Sequence, residues 1–195
     1  MTEICVQVLS DLDTVKRELT DKGFEFVEYY NNHDIYFSTI PEEDIHTVEY
    51  KALLDRSIII RHIKGNESDD RYIVYKSKTL DDAGNVVNEK KTKLVIDDIA
   101  KAKAIFSGLG LTRWCEYDNE NYVYKKGEIS IIVQYVRELG VFFEIEEFEF
   151  MSEKSSTEKF DELIKIARSL GFDLGDDFSC KKPYLYLNRD PELTV

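Results

Sequence analysis

Apolar and polar residues alternate most cleanly along residues 129–150, and this pattern predicts two β-strands joined by a short turn. In the second strand, Val141, Phe143 and Ile145 fall on one face, whereas Glu144 and Glu146 fall on the other. The apolar face predicts a buried core. The acidic face has two interpretations: a solvated outer surface, or an enclosed polar face whose carboxylates share a divalent cation.

The remainder of the chain shows the same strand alternation, interrupted by short amphipathic helices. Helices are predicted after Ser10 or Asp11, after Asp97 or Asp98, and after Ser155, and each is followed by a glycine. A loop with a helical turn is predicted between Pro41 and Arg56. Further strands are predicted over residues 3–8, 24–30, 34–38, 57–63, 71–78, 86–96, 112–116 and 122–126, with a turn at Asn31 and Asn32.

A strand, a helix that ends at glycine and several antiparallel strands occur twice along the chain. We therefore expect a single domain over residues 1–195, built from two pseudo-repeated halves at about 1–94 and 95–195. The many strands have polar faces that must be hidden or hydrated together. This favours an α+β fold in which a closed antiparallel eight-strand β-barrel encloses a polar interior and the helices pack outside it.

Charge and cysteine usage narrow the class of protein. The formal net charge of -13 and the pI near 4.7 argue against nucleic acid as a partner, because binding an open phosphate backbone needs a basic surface. Three cysteines, Cys5, Cys115 and Cys180, lie far apart without metal-ligand spacing, so we expect three free thiols in a reducing cytoplasm. No leader or membrane-spanning pattern is found, which predicts a soluble protein.

Several segments point to a known family. They are EICVQ near the start, HDIYFST, IIIRH, YIVYK, the Gly-Leu-Gly end of the second helix, YKKGEISIIVQYVRELGVFFEIE and the tail KPYLYL. Together they resemble the CYTH, or triphosphate tunnel, fold of class IV adenylate cyclases and thiamine triphosphatases, over nearly the whole chain. The ELG turn followed by FFEIE is the most specific part, because it is similar to the family's turn and EIE strand in position and spacing.

The resemblance implies a tunnel that binds a triphosphate through inward Lys and Arg side chains and holds Mg²⁺ or Mn²⁺ on inward carboxylates. The metal ligands that it implies here are Glu3, Glu144 and Glu146. The ligand-binding residues that it implies are Arg61, Lys76, Lys90 and Gln134. Four of these residues, Arg61, Lys76, Gln134 and Glu144, are expected to face one shared cavity, because each lies in the phase opposite to its apolar neighbours.

The sequence also departs from the family pattern. Neutral residues stand at six positions where the family carries charge, namely Cys5, Gln7, Thr92, Asn119, Asn121 and Gln134. A cation site that lacks charged ligands loses affinity, so we expect catalysis of the family type to be weak or absent. The replacements are polar, with hydrogen-bonding groups that suit a ligand.

Three functions therefore stay open. The first is a tunnel protein that binds a nucleotide or organic triphosphate with little or no turnover. The second is an active, metal-dependent triphosphatase or adenylate cyclase. The third is a protein-interaction module. The expected partner is a phosphorylated small molecule, neither nucleic acid nor a membrane is expected as a partner, and a homodimer is left open.

Overall fold

This computed structural model describes residues 2–55, 57–80 and 86–189, with side chains described outside 76–80 and 86–89. The described part is an α+β structure of eight strands and five α-helices. The strands are β1 (Glu3–Val8), β2 (Glu25–Ser38), β3 (Ser57–Gly65), β4 (Asp69–Leu80), β5 (Val86–Val95), β6 (Thr112–Lys126), β7 (Ile129–Val136) and β8 (Gly140–Glu146). The helices are α1 (Leu12–Asp21), α2 (Tyr50–Asp55), α3 (Ile99–Gly108), α4 (Ser156–Ser169) and α5 (Lys182–Leu187).

The predicted helix starts are confirmed, because each is fixed by a side chain that accepts a hydrogen bond from the first turn. Asp11 accepts from the backbone N–H of Thr14 at 2.9 Å, and Asp98 accepts from that of Lys101 at 3.0 Å. At the start of α4, Ser155 and Glu158 form the predicted capping box. These caps satisfy amide groups that the helix itself leaves without partners.

Two predicted breaks in the strands are wrong. Asn31 and Asn32 do not form a turn, because they continue β2, and β6 likewise runs without interruption through residues 117–121. No non-glycine residue in the described ranges has a positive φ, so neither asparagine takes the left-handed conformation that the predicted turn would use. Asn119 and Asn121 of β6 are buried and form hydrogen bonds with amide groups. Their polar side chains therefore do not mark a loop.

The connections between elements contain more helix than predicted in two places. Residues 41–56, predicted as a loop with a helical turn, contain a 3-10 turn at Glu42–Asp44 and the short helix α2. The tail KPYLYL, for which no element was predicted, forms α5. None of the helices in the described ranges is both long and apolar enough to cross a membrane.

The strands form one antiparallel sheet in the order β1-β8-β7-β6-β2-β3-β4-β5, and β3, β4 and β5 form the predicted meander. β1 and β5 stand at the two ends of this order, and no ladder of hydrogen bonds between described residues joins them. The predicted closure of the barrel is therefore not confirmed. The predicted halves at 1–94 and 95–195 stay a prediction.

The chain divides into two compact units that both take residues from distant parts of the sequence. Unit 1 comprises Met1–Tyr30, Asn119–Leu185 and Arg189–Val195, and unit 2 comprises Asn31–Asp118 and Tyr186–Asn188. In unit 1, α1 and α4 pack on one face of β1, β7 and β8. As predicted, Val141, Phe143 and Ile145 lie in this buried core, together with Ile4 and Leu163 among others.

Unit 2 has its own smaller core, in which α3 packs against the strands. Ile35 and Phe37 of β2 and Ile60 of β3 contact Ala102 and Phe106 of α3. The apolar stripe of α3 is narrower than its sequence indicates, since Ile105 is 60% exposed. The polar faces of the strands lie opposite these cores, and they carry the residues of interest for function.

Candidate functional site

The polar face of unit 1 is built by the register between β1 and β8. Glu3 pairs with Glu146, and Cys5 pairs with Glu144, so these four side chains project to the same face of the sheet. The neighbouring residues Ile4 and Ile145 point to the opposite face and are fully buried in the core. A shift of one residue would exchange the two faces, so the apolar core fixes where the carboxylates lie.

The three predicted metal ligands come together on this face. Glu3, Glu144 and Glu146 each offer a carboxylate oxygen, and these oxygens lie within 4.8 Å of one another. Three hard oxygen donors at this spacing fit a divalent cation such as Mg²⁺ or Mn²⁺, which takes carboxylate ligands in proteins. This donor set is incomplete by itself, and water or ligand oxygens would have to fill the remaining positions around the ion.

A lysine that sequence reasoning did not select lies beside these carboxylates. Lys182, the first residue of α5, is only 8% exposed. Its Nζ donates to Gln134 Oε1 at 2.5 Å and lies 3.5 Å from both Glu144 Oε2 and Cys5 Sγ. A buried ammonium needs such acceptors, and here it finds them at two of the positions that are neutral where the family pattern is charged.

The C-terminal segment carries Lys182 to this position. Residues 173–180 run along the outer edge of β1, where the backbone N–H of Cys5 donates to Phe178 O at 3.0 Å and that of Cys180 donates to Cys5 O at 2.9 Å. This pairing covers an edge that would otherwise expose backbone hydrogen-bonding groups. It also places Lys182, two residues beyond Cys180, beside Cys5.

A chain of amides continues from Lys182 along the polar face. Gln134 Nε2 donates to Asn121 Oδ1 at 3.0 Å, and Asn119 Nδ2 donates to the same oxygen at 3.3 Å. Asn121 Nδ2 donates to the backbone oxygens of Asn119 at 2.7 Å and Tyr30 at 3.4 Å. The three amide residues are buried. Asn119 Oδ1 is buried too, and no hydrogen-bond donor among the described residues reaches it.

The predicted free state of the cysteines is confirmed, since Cys5, Cys115 and Cys180 are all free and buried. Burial raises the pKa of the Cys5 thiol, and the adjacent Lys182 ammonium offsets only part of that effect. Burial also raises the pKa of Cys180 to about 11. Both groups therefore remain thiols at neutral pH, which argues against a nucleophilic role for Cys5.

We expect titration of the unfolded protein, without reductant, to find three reactive thiols per chain. In the folded protein the reaction of Cys180 should be slow at pH 8, because only roughly one thiol in a thousand is ionised three pH units below a pKa of about 11. Ellman's reagent measures both quantities. A single reactive thiol in the unfolded protein would instead indicate a disulfide.

Arg61, one of the predicted ligand-binding residues, lies in unit 2 and has an acidic partner there. Its Nε donates to Asp34 Oδ1 at 2.7 Å and its Nη2 donates to Asp34 Oδ2 at 2.5 Å. The Asp34 side chain is 2% exposed, and that of Arg61 is 28% exposed. Burial alone would lower the pKa of the guanidinium, but the Asp34 carboxylate outweighs burial and raises it. Arg61 thus neutralises a buried carboxylate.

The structure says less about the two lysines that were predicted to bind the ligand. Lys76 lies in β4 opposite Lys91 of β5, but its side chain is outside the described residues. Lys90 lies on β5 opposite Ser77 and is exposed. Among the predicted site residues, the structure thus places carboxylate oxygens of Glu3, Glu144 and Glu146 within 4.8 Å of one another, and Lys182 links Glu144 to Gln134. The predicted cavity shared by Arg61, Lys76, Gln134 and Glu144 stays a prediction.

The sequence analysis did not predict Lys182 and Asp34, the charged partners of Gln134 and Arg61. For each of them, a feature of the sequence could have indicated its role. Lys182 is the first residue of the tail KPYLYL, which is one of the segments that carry the family resemblance. Asp34 is an acidic residue directly before the apolar run Ile35–Phe37, and it is 1% exposed. A carboxylate buried in a strand requires a cation, which is the reason that could have paired it with an arginine.

Comparisons with known proteins agree with this architecture. No protein-family model matches the chain. A Methanocaldococcus jannaschii protein with the curated name "Putative adenylate cyclase" is 28% identical over 189 residues, which cover 96% of this chain and 98% of that protein. Sequence similarity therefore extends over essentially the full length of both chains.

Solved structures share the fold, and two of them serve as examples. The PH1819 protein of Pyrococcus horikoshii has a TM-score of 0.66 and 21% identity, with 95% of this chain and 97% of that chain covered. A Hippeastrum protein described as an adenylyl cyclase candidate with a dominant triphosphatase activity has a TM-score of 0.57 and 16% identity, with 96% and 99% covered. At these sequence identities the similarity establishes the fold alone. The function has to be inferred from the residues of the site.

Proposed function

We propose that this protein binds a phosphorylated organic ligand, a nucleotide or another organic triphosphate, through one divalent cation held by Glu3, Glu144 and Glu146, and that it turns this ligand over slowly or not at all. The observation that carries the proposal is the cluster of three carboxylates beside the buried Lys182. Similarity to proteins named as adenylate cyclase or triphosphatase supports the class of ligand.

The charges of the cluster explain why a metal is needed. The three carboxylates carry negative charges, and these would repel a phosphate. A bound Mg²⁺ or Mn²⁺ would compensate them and polarise a phosphoryl oxygen. The protein residues would hold the ion, while Lys182 keeps Glu144 and Gln134 in place. Binding of the phosphorylated ligand should therefore depend on the metal.

The phosphate ligands predicted from sequence, which are Arg61, Lys76, Lys90 and Gln134, stay predictions. Arg61 would serve a phosphate only with N–H groups that Asp34 does not use, because Nε and Nη2 are already bound. Slow turnover is expected because Cys5 and Gln134 supply no carboxylate to the metal.

An active triphosphatase or cyclase is the second candidate. The described triphosphatase activity of the Hippeastrum protein, which shares the fold over nearly its whole length, favours it. The two candidates differ in rate and share the metal site. Release of inorganic phosphate or formation of a cyclic nucleotide, measured with manganese and magnesium, separates them, since rapid turnover by the wild-type protein would establish the second.

Metal binding is the direct test of the proposed site. By titration calorimetry we expect Mn²⁺ to bind the wild-type protein in the micromolar to millimolar range, and Glu144→Gln with Glu146→Gln to weaken it at least about tenfold. Glu153→Gln, which changes an exposed glutamate elsewhere in unit 1, is the matched control. Equal Mn²⁺ affinity in wild type and in the Glu144→Gln, Glu146→Gln variant would refute the metal site.

A thermal-shift screen then tests the ligand. It compares nucleoside triphosphates, thiamine triphosphate, tripolyphosphate and cyclic nucleotides, each with and without Mg²⁺ or Mn²⁺. We expect a rise in melting temperature that is larger with metal. If no phosphorylated compound stabilises the protein under either condition, the ligand proposal fails and a protein-interaction role replaces it.

A further inference from the structure

The outer face of α3 differs from that of the other long helices in the described part of the chain. The exposed residues of α1 and α4 are polar or charged, as is usual for a helix face in water. Along α3, the exposed residues form two adjacent rows at four-residue spacing. The first row is Ala100, Ala104 and Gly108, and the second is Lys101, Ile105 and Leu109, which caps the end of the helix. We refer to these six residues as the α3 face.

The α3 face is apolar and carries almost no charge. Ile105 is 60% exposed and Leu109 is 73% exposed. A single exposed apolar side chain is common, but two of them together with alanine and glycine form a continuous patch, which is typical of an interaction surface. The charge of Lys101 is offset by Asp98, whose Oδ2 lies 3.6 Å from Lys101 Nζ.

The opposite side of α3 is apolar as well. Ala102 and Phe106 pack in the core of unit 2. The other charged residue of the helix, Lys103, is half-buried and its Nζ lies 3.5 Å from Glu116 Oε1 of β6. A helix that is apolar on two sides is usually covered on both. Within the described residues only the inner side of α3 is covered, so the α3 face indicates a partner.

A second copy of this chain is the partner that the charges favour. Each chain carries a formal net charge of -13, so two copies repel each other unless a nearly uncharged surface makes the contact. The α3 face is such a surface. A strongly acidic or basic partner would find little complementary charge on it.

An antiparallel pair of α3 helices also complements the charge at the helix ends. The last turn of α3 contains no basic residue, so no side chain of that turn compensates the negative end of the helix dipole. When two copies meet antiparallel around Ala104, each Lys101, with 75% of its side chain exposed, lies beside the last turn of the other helix. The same arrangement sets Ile105 of one copy against Ala104 of the other. It likewise sets Leu109 against Ala100, so that large side chains meet small ones.

We propose that this protein forms a two-fold symmetric dimer in which the α3 faces of two copies pack antiparallel. A two-fold axis brings the same surface from both copies together, so it requires a self-complementary face. The ten residues of α3 span only about 15 Å, whereas stable interfaces bury roughly 1,200–2,000 Å². The dimer is therefore weak, with a dissociation constant on the order of 10–100 µM. Dimerisation by this face is independent of the ligand proposed above.

Sedimentation velocity of the wild-type protein between about 1 and 300 µM tests for the dimer. We expect the weight-average mass to rise from 22.8 kDa towards twice that value. Leu109→Asp and Ile105→Asp should each weaken association at least about tenfold, because each buries an unpaired charge in both halves of the contact. Leu9→Asp changes a leucine that is 59% exposed in unit 1, so it is the matched control and should associate like the wild type. Circular dichroism checks that each variant is folded.

A single cysteine tests the antiparallel arrangement. Ala104→Cys places its thiol near the two-fold axis, so mild oxidation with diamide should link two copies by a disulfide, which non-reducing electrophoresis detects. Ser107→Cys, at an exposed position further along α3, lies away from the axis and should link more slowly. The wild-type protein, whose cysteines are buried, gives the background.

Three results would overturn the α3 dimer. The first is a wild-type protein that stays at 22.8 kDa up to about 300 µM. The second is association that Leu109→Asp and Ile105→Asp leave unchanged, or that Leu9→Asp weakens equally, since either places the contact elsewhere. The third is faster linking of Ser107→Cys than of Ala104→Cys, because the helices would then not pack antiparallel around Ala104.

Discussion

Replacing Arg61 by methionine is expected to lower the free energy of unfolding by about 3–5 kcal/mol, the range measured when one partner of a buried ion pair is removed. Both carboxylate oxygens of Asp34 accept hydrogen bonds from Arg61, and the Asp34 side chain is 2% exposed. Without the guanidinium, an ionised Asp34 would be left in a position that water scarcely reaches. Urea denaturation of the wild-type and variant proteins measures the difference.

The matched control is a second arginine-aspartate pair in unit 2. Arg71 Nη2 lies 2.7 Å from Asp69 Oδ1, but the Asp69 side chain is 53% exposed. Arg71→Met should therefore cost no more than about 1 kcal/mol, because solvent replaces the lost partner. Adding Asp34→Asn to Arg61→Met removes the buried charge and should recover at least about half of the loss. If Arg61→Met and Arg71→Met lower the free energy of unfolding equally, the buried pair of Arg61 and Asp34 contributes no more to stability than the exposed pair of Arg71 and Asp69.

This pair also illustrates the limit of reading sites from sequence. The two-residue period was enough to place Arg61 on a polar face, since Ile60 beside it is fully buried. What the period cannot give is the partner across the sheet, because that depends on which strands become neighbours. Asp34 is 27 residues from Arg61 in the chain, and only the packing of β2 next to β3 brings them together.

In the carboxylate cluster, too, the faces of the strands could be predicted from the sequence, whereas the position of Lys182 could not. Alternation fixed the faces of β8, and the antiparallel pairing of Glu3 with Glu146 follows once β1 lies beside β8. Helix caps were equally readable, because their signals lie within four residues of sequence. Lys182 was not readable, since it reaches Gln134 and Cys5 through a non-repetitive segment that follows the edge of β1.

Breaks within strands were overpredicted for a related reason. Polar residues such as Asn119 and Asn121 are typical of turns when they are exposed, but in β6 they are buried and bonded to other amides. Polarity in a strand can thus indicate a hydrogen-bonded interior instead of a chain reversal. The turn that needs a left-handed residue was predicted more reliably, as at Gly140 of the ELG turn, whose φ is 91°.

Restoring charge at two positions of the site is expected to have the largest effect on metal affinity. Cys5 lies directly opposite Glu144 on the neighbouring strand, and Gln134 shares Lys182 with Glu144. Cys5→Glu together with Gln134→Asp would add two carboxylates around the existing cluster. We expect Mn²⁺ to bind this double variant about 10–100-fold more tightly than the wild type, because affinity rises with the number of charged ligands.

Lys182 also bears on this gain, because its ammonium lies 3.5 Å from Glu144 and would compete with a bound metal for that carboxylate. Lys182→Met should by itself tighten Mn²⁺ binding by about tenfold, since it removes a positive charge next to the proposed ion. Cys5→Gln, which has the size of the glutamate variant without its charge, is the control and should leave the affinity near that of the wild type. Calorimetry with Mn²⁺ measures all four proteins, and circular dichroism confirms that each is folded. If neither the added carboxylates nor the loss of Lys182 strengthens Mn²⁺ binding, the metal does not lie at Glu144, and the cluster of Glu3, Glu144 and Glu146 serves only as the counter-charge for Lys182.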